Sequence, residues 1–125
     1  MKSEIAIIRL ESTLNAPERR NLQKRVDMAL SQKRFLILDV SPLTDIDSKG
    51  LAELFAVVAK TIQKQGDTAI IGASPQLRAI FSLVRLDQVA EICDELAAAT
   101  YLLKAPEEER PVEEQPWIAV SKCMA

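Results

Sequence analysis

Residues 35–58 read FLILDVSPLTDIDSKGLAELFAVV. The stretch opens on FLILDV, a nearly unbroken apolar run of the kind that suits a strand buried on both faces. From residue 51 the spacing changes. Leu51, Leu54, Phe55, Val58 and Ile62 fall at i, i+3, i+4, i+7 and i+11, which predicts an amphipathic helix. A strand that hands over to a helix through a short polar turn is half of a βαβ unit, and such units build parallel sheets. The turn itself, TDIDSKGL at residues 44–51, sets Ser48 between Asp47 and Lys49, two residues before Gly50.

The same alternation extends in both directions. Residues 4–10, EIAIIRL, predict a first strand. A helix follows to about Ser31, with Asn15 able to cap it, Pro17 in its first turn, and Leu22, Val26, Ala29 and Leu30 on one face. Arg19, Arg20, Lys24 and Arg25 lie mostly off that face, as a small basic patch or as an ordinary solvated surface. After the second helix, Gly66 is the expected C-cap. TAIIGA, residues 68–73, predicts a third strand. Residues 74–86 predict a third helix with Ser74 as N-cap, Pro75 at its first position, and Leu77, Ile80, Phe81 and Val84 on one face. QVAEI, residues 88–92, predicts a short fourth strand, and residues 93–104 a last helix. The expected class is α/β: one domain over residues 1–104, with a central, mostly parallel sheet and about four helices packed on it.

Residues 105–125 change character. Three prolines and five glutamates crowd the first part of this segment, a composition that does not form a core helix. The expectation is an acidic Pro/Glu-rich tail whose Trp117–Ile–Ala–Val segment can bury apolar area by docking back on the domain or on a neighbouring copy.

The totals narrow the function. The chain has 125 residues, enough for one real core, and a formal net charge of -2, so no basic excess drives nucleic-acid or membrane-surface binding. No apolar run approaches the ~20 residues that span a bilayer, and Arg9 and Glu11 break the N-terminal apolar stretch, so no membrane insertion or secretory signal is read and the cytoplasm is the expected compartment. Cys93 and Cys123 are too far apart for a metal pair, and with no histidine a zinc centre is not expected. Two reduced structural thiols are the expectation in a cytosolic protein. The missing histidine also removes the commonest general acid–base at neutral pH and every His-based triad. With three glycines the chain has neither a Gly-x-Gly-x-x-Gly turn nor a phosphate-binding P-loop.

Asp47 or Ser48 is the expected N-cap of the second helix. A phosphate on Ser48 would sit at a helix N-terminus, where unpaired N–H groups and the positive dipole end favour an anion, with Lys49 adjacent. It would place about two negative charges beside Asp45 and Asp47, enough to expel a partner packed over the loop. Gly50, inside the first turn, costs up to ~1 kcal/mol relative to alanine. The compensation expected is a surface that approaches its backbone closely.

These residues resemble the signature of the STAS domain, shared by sulfate transporters and bacterial anti-sigma factor antagonists. Asp39, Leu43, Ile46, Asp47, Ser48, Gly50 and Leu51 match it position by position, and the likeness extends over residues 4–103. In the antagonist branch, the resemblance implies, the serine matching Ser48 is phosphorylated by an anti-sigma factor that is also an ATP-dependent serine kinase. The unphosphorylated protein binds that partner and frees the sigma factor, and a serine phosphatase resets the cycle. ATP and Mg²⁺ belong to the kinase; this chain would be substrate and switch, not an enzyme, with no cofactor of its own. Asp45, Asp47, Lys49, Gly50 and Leu51 would form the docking loop, flanked by the exposed sides of the second and third helices. The chain departs from the pattern at residues 12–15, STLN where the family often has Gly–Glu–Leu–Asp, and at Lys49, where the family residue is commonly small. The resemblance also admits a scaffold or adaptor protein, like a stressosome subunit or the small subunit of a lipid transporter, in which Ser48 is only a cap. A small-molecule site would need a deep polar pocket with converging acids. Whether copies self-associate is left open.

Overall fold

Parallel pairing of strands that follow one another in the chain organises the molecule. The computed structural model describes residues 5–104. Four strands, β1 (Ile5–Arg9), β2 (Phe35–Asp39), β3 (Asp67–Ile71) and β4 (Glu91–Cys93), form one sheet in the order β1-β2-β3-β4. Every neighbouring pair is parallel, with Ile5 opposite Phe35, Phe35 opposite Asp67, and Ala69 opposite Glu91. The helices are α1 (Ala16–Leu30), α2 (Ser48–Gln63), α3 (Pro75–Leu83) and α4 (Leu96–Lys104). Crossovers between parallel strands are right-handed, and these three all step the same way across the sheet, so α1, α2 and α3 fall on one face.

The burial pattern agrees. Ile8, Leu36, Leu38 and Ile70 point into a core with Leu22, Val26 and Leu30 of α1, Leu54, Val57 and Val58 of α2, and Leu77 and Phe81 of α3. The alternate residues Ile37, Ala69, Ile71 and Cys93 face the other way and meet Ala99 and Leu103 of α4. Side chains alternate along a strand, so the unbroken apolar run of β2 is explained: Leu36, Ile37 and Leu38 are all fully buried, each under one layer or the other. Among the described residues no helix is long and apolar enough to cross a membrane. Trp117 and Cys123 lie outside the described residues, as does the whole segment 105–125.

Three local expectations are corrected. The first concerns the end of α2. Gln65, not Gly66, takes the left-handed conformation, at φ 61. The Gln65 N–H donates to the Ile62 carbonyl at 2.9 Å and the Gly66 N–H to the Thr61 carbonyl at 2.7 Å, the paired bonds of a Schellman end. Gly66 is glycine for another reason: a Cβ there would lie 1.6 Å from the Arg34 carbonyl oxygen. The second concerns the buried face of α2. Ile62 is 54% exposed, while Thr61 is fully buried and Glu53 nearly so. Polar groups are tolerated inside because their bonds are met. The Thr61 hydroxyl donates to the Val58 carbonyl at 2.7 Å and lies 2.8 Å from the Thr68 hydroxyl, and Gln23 Nε2 of α1 donates to Glu53 Oε1 at 2.8 Å.

The third correction concerns the fourth strand. Arg85 adopts φ 67 and stops α3. The chain then makes a 3₁₀ turn, Leu86–Gln88, that buries Leu86 and leaves Val89 exposed. Pairing therefore begins at Glu91, three residues later than the expected Gln88. The Ser74 cap of α3 is as expected, its hydroxyl accepting from the Leu77 N–H at 3.2 Å.

Candidate functional site

Because β1 and β2 are parallel, the loops that leave them lie at the same end of the sheet. The β2–α2 loop is built outward from Asp39. The Leu10 N–H donates to the Asp39 carbonyl and the Val40 N–H to the Ile71 carbonyl, both at 2.9 Å, so the exit of β2 is held from either side. Asp39 Oδ1 accepts from the Ser41 N–H at 3.0 Å, which turns the chain. Leu43 is buried and anchors the middle of the loop. The Thr44 N–H and hydroxyl both donate to the Ser12 carbonyl, at 3.0 and 3.2 Å. This ties the loop to the β1–α1 segment, residues 12–15, where the sequence departs from the pattern it resembles. Asn15 does a carboxylate's work there: its Oδ1 accepts from the Glu18 N–H at 3.1 Å and caps α1.

At the start of α2, Asp47 is the N-cap. Its Oδ1 accepts from the Gly50 N–H at 2.8 Å, and its carbonyl accepts from the Leu51 N–H at 2.9 Å. Ser48 is therefore the first residue of the helix proper, exposed beside an equally exposed Lys49. The N–H groups of these first two positions have no intrahelical acceptor to reach. Asp45 is exposed and its Oδ1 accepts from the Ile46 N–H at 2.8 Å. Leu51 is half-buried against the core.

Gly50 is buried, and a Cβ there would meet Ile46 Cγ1 at 2.8 Å. The surface that comes close to its backbone belongs to the chain itself. Gly50 thus shapes the loop from beneath, and Asp45, Asp47, Ser48 and Lys49 form its outer rim. The Ser12–Thr44 tie escaped the sequence reading, because nothing local marks a bond between residues so far apart.

The two loops leave a shallow recess of about 130 Å³, lined by Thr13, Leu14, Asn15, Asp45, Ile46 and Asp47. Ligand pockets run from about 300 Å³ upward, so this recess suits a protruding side chain of a protein better than a whole small molecule. Among the described residues no three His, Cys, Asp or Glu side chains gather to hold a metal ion. Along α2 below Ser48, the exposed positions Ala52, Ala56, Ala59 and Ile62 follow at helical spacing and carry no charge. An uncharged strip that continues from the rim suits a protein surface.

With Asp47 as cap, Asp47→Ala is expected to lower stability by about 1 kcal/mol, and Ser48→Ala to change it by less than about 0.5 kcal/mol. Urea unfolding of the two variants measures the difference; equal losses would mean that the serine shares the capping.

Comparison with known proteins gives a consistent picture. The family model described as the STAS domain matches residues 2–99. Among solved structures, the chain is similar to a candidate anti-sigma factor antagonist, TM1081, from Thermotoga maritima: 18% identity, TM-score 0.71, 84% of this chain and 92% of that one covered. It is similar to the anti-sigma factor antagonist SpoIIAA in its unphosphorylated form, at 18% identity and TM-score 0.62, over 78% of this chain and 86% of that one. The phosphorylated form of SpoIIAA, a Bacillus cell fate determinant, matches at 20% identity and TM-score 0.62, over 78% and 89%.

Proposed function

Since the chain belongs to the STAS domain family, we propose that it is an anti-sigma factor antagonist that works by partner switching, with Ser48 as its phosphorylation site. Unphosphorylated, it binds an anti-sigma factor that is also a serine kinase; phosphate on Ser48 releases it, and a serine phosphatase restores it. One observation carries the reading. Asp47 caps α2, so the exposed Ser48 hydroxyl is spare. A phosphoryl group can be added to it without dismantling the helix start. There the dianion meets the first N–H groups of α2 and the positive end of its dipole. A relative of the same fold exists in both phosphorylated and unphosphorylated forms, which supports the same chemistry here.

The change falls on the rim. About 1.5–2 negative charges arrive beside Asp45 and Asp47, and like-charge or apolar contact with a partner becomes unfavourable. Lys49 lies next to the acceptor and is the nearest cation to the new charge in sequence. The transfer itself, from ATP and Mg²⁺ on the kinase, is the partner's chemistry.

Protein purified from its native host is expected to carry one phosphate, mapped to Ser48 by intact mass and peptide analysis and absent from Ser48→Ala. An unmodified Ser48 across growth phases and stresses, with a partner whose binding ignores Ser48→Ala, would instead make the loop a fixed docking surface of a scaffold.

A further inference from the structure

Among the described residues the second face of the sheet is only half covered. α4 packs on β3 and β4, and β1 lies at the opposite edge. On that uncovered side Ile7 is 55% exposed, although it stands in register with the fully buried Ile37. Half-buried Ile5 and Phe35 flank it on the same face. Two cations border this apolar patch: Arg9, whose side chain is 70% exposed and whose Nε lies 3.9 Å from Asp39 Oδ2, and exposed Arg34, which lies 5.0 Å over the Phe35 ring.

We propose that residues 117–120 of the same chain, Trp–Ile–Ala–Val, cover the β1 half of this face, with the preceding glutamates alongside Arg9 and Arg34. Three observations select this occupant. The chain leaves α4 at Lys104, on the face in question. The thirteen steps from there to Trp117 can span about 40 Å, whereas crossing from β4 to β1 takes three strand spacings, about 15 Å. The segment's charge is opposite to that of the patch border: Glu107, Glu108, Glu109, Glu113 and Glu114 against Arg110 and Lys122. Its one strongly apolar run, beginning with a tryptophan, matches an isoleucine–phenylalanine surface edged by arginines, a setting that also offers cation–π contact. A second copy could present the same segment, but the tether raises its local concentration to about the millimolar range, ahead of any dilute partner.

Trp117 is the chain's single tryptophan, so its fluorescence reports the contact in the full-length protein. Acrylamide quenching is expected to be several-fold weaker than for free N-acetyltryptophanamide, and unchanged on dilution. Ile7→Asp should raise it to the free value, and Ile62→Asp, on the other side of the molecule, should leave it low. A second measurement does not depend on substituting the sheet. A spin label on Cys123 should broaden the amide signals of β1 within one molecule, Cys93 being buried. Quenching of the unaltered protein at the free value overturns the proposal. So does protection that falls on dilution, or broadening seen only between labelled and unlabelled molecules, since either gives the face to a second copy.

Discussion

Gly66→Ala is expected to remove a large part of the domain's stability. The added Cβ would stand 1.6 Å from the Arg34 carbonyl oxygen and 2.7 Å from its carbonyl carbon. Both are backbone atoms at the entrance to β2, and Gly66 itself leads directly into β3. No side-chain rotation relieves the overlap. The chain must part where Phe35 faces Asp67, at the first rung of the central pair. Moving backbone in a packed interior exceeds the usual 1–3 kcal/mol of overpacking. A loss of about 4 kcal/mol or more is expected, against a total stability of about 5–15 kcal/mol for a domain. Gly50→Ala provides the contrast. There the nearest atom is the side-chain Cγ1 of Ile46 at 2.8 Å, which can shift, and the expected loss is much smaller. Urea denaturation of the two variants decides the matter, and a wild-type midpoint for Gly66→Ala would show that the close approach is not real.

Ala52→Glu is expected to spare the fold and strongly weaken the proposed partnership. Ala52 is exposed one turn below Ser48, on the same side of α2. Glutamate is nearly as good a helix former as alanine, so stability should move by less than about 0.5 kcal/mol. A partner seated on Ser48 must also cover position 52, and a carboxylate there would be buried without a counter-charge. Central positions of an interface typically cost about 2 kcal/mol or more when spoiled, at least about 30-fold in Kd. The comparison is made by titrating the unphosphorylated variant against the kinase partner. Unchanged affinity would mean that the partner approaches from the β1–α1 side and leaves α2 uncovered.

Much of the architecture could be read from residue spacing alone. The doubly buried β2 declares itself because both faces of one strand need apolar residues at once. The Ser74 and Asn15 caps are local, involving residues three apart, so the sequence displays both donor and acceptor. The misreadings arise where distant residues meet. Thr61 looks like a surface residue until Thr68 of β3 and the Val58 carbonyl account for its hydroxyl. Ile62, the hydrophobic neighbour, is turned outward as a result. Gly66 sits three residues past Gln63, the last residue of α2, and invites the capping role that Gln65 performs, because its real constraint lies across the sheet at Arg34. At the site, Asp47 and Ser48 are both good caps by type, and only the geometry of the turn assigns the task to the aspartate and leaves the serine spare. The bond from Thr44 to Ser12, which holds the two loops together, has no local signature.

The strand order has a bearing on how the molecule comes into being. Each strand pairs with the one made just before it, and none must be threaded between two that are already joined. A chain emerging from the ribosome can therefore extend the sheet by one edge at a time, each new strand closing over its own crossover helix. The serine loop lies between the first two additions, so its frame is complete once β3 has docked and does not wait for β4 or α4.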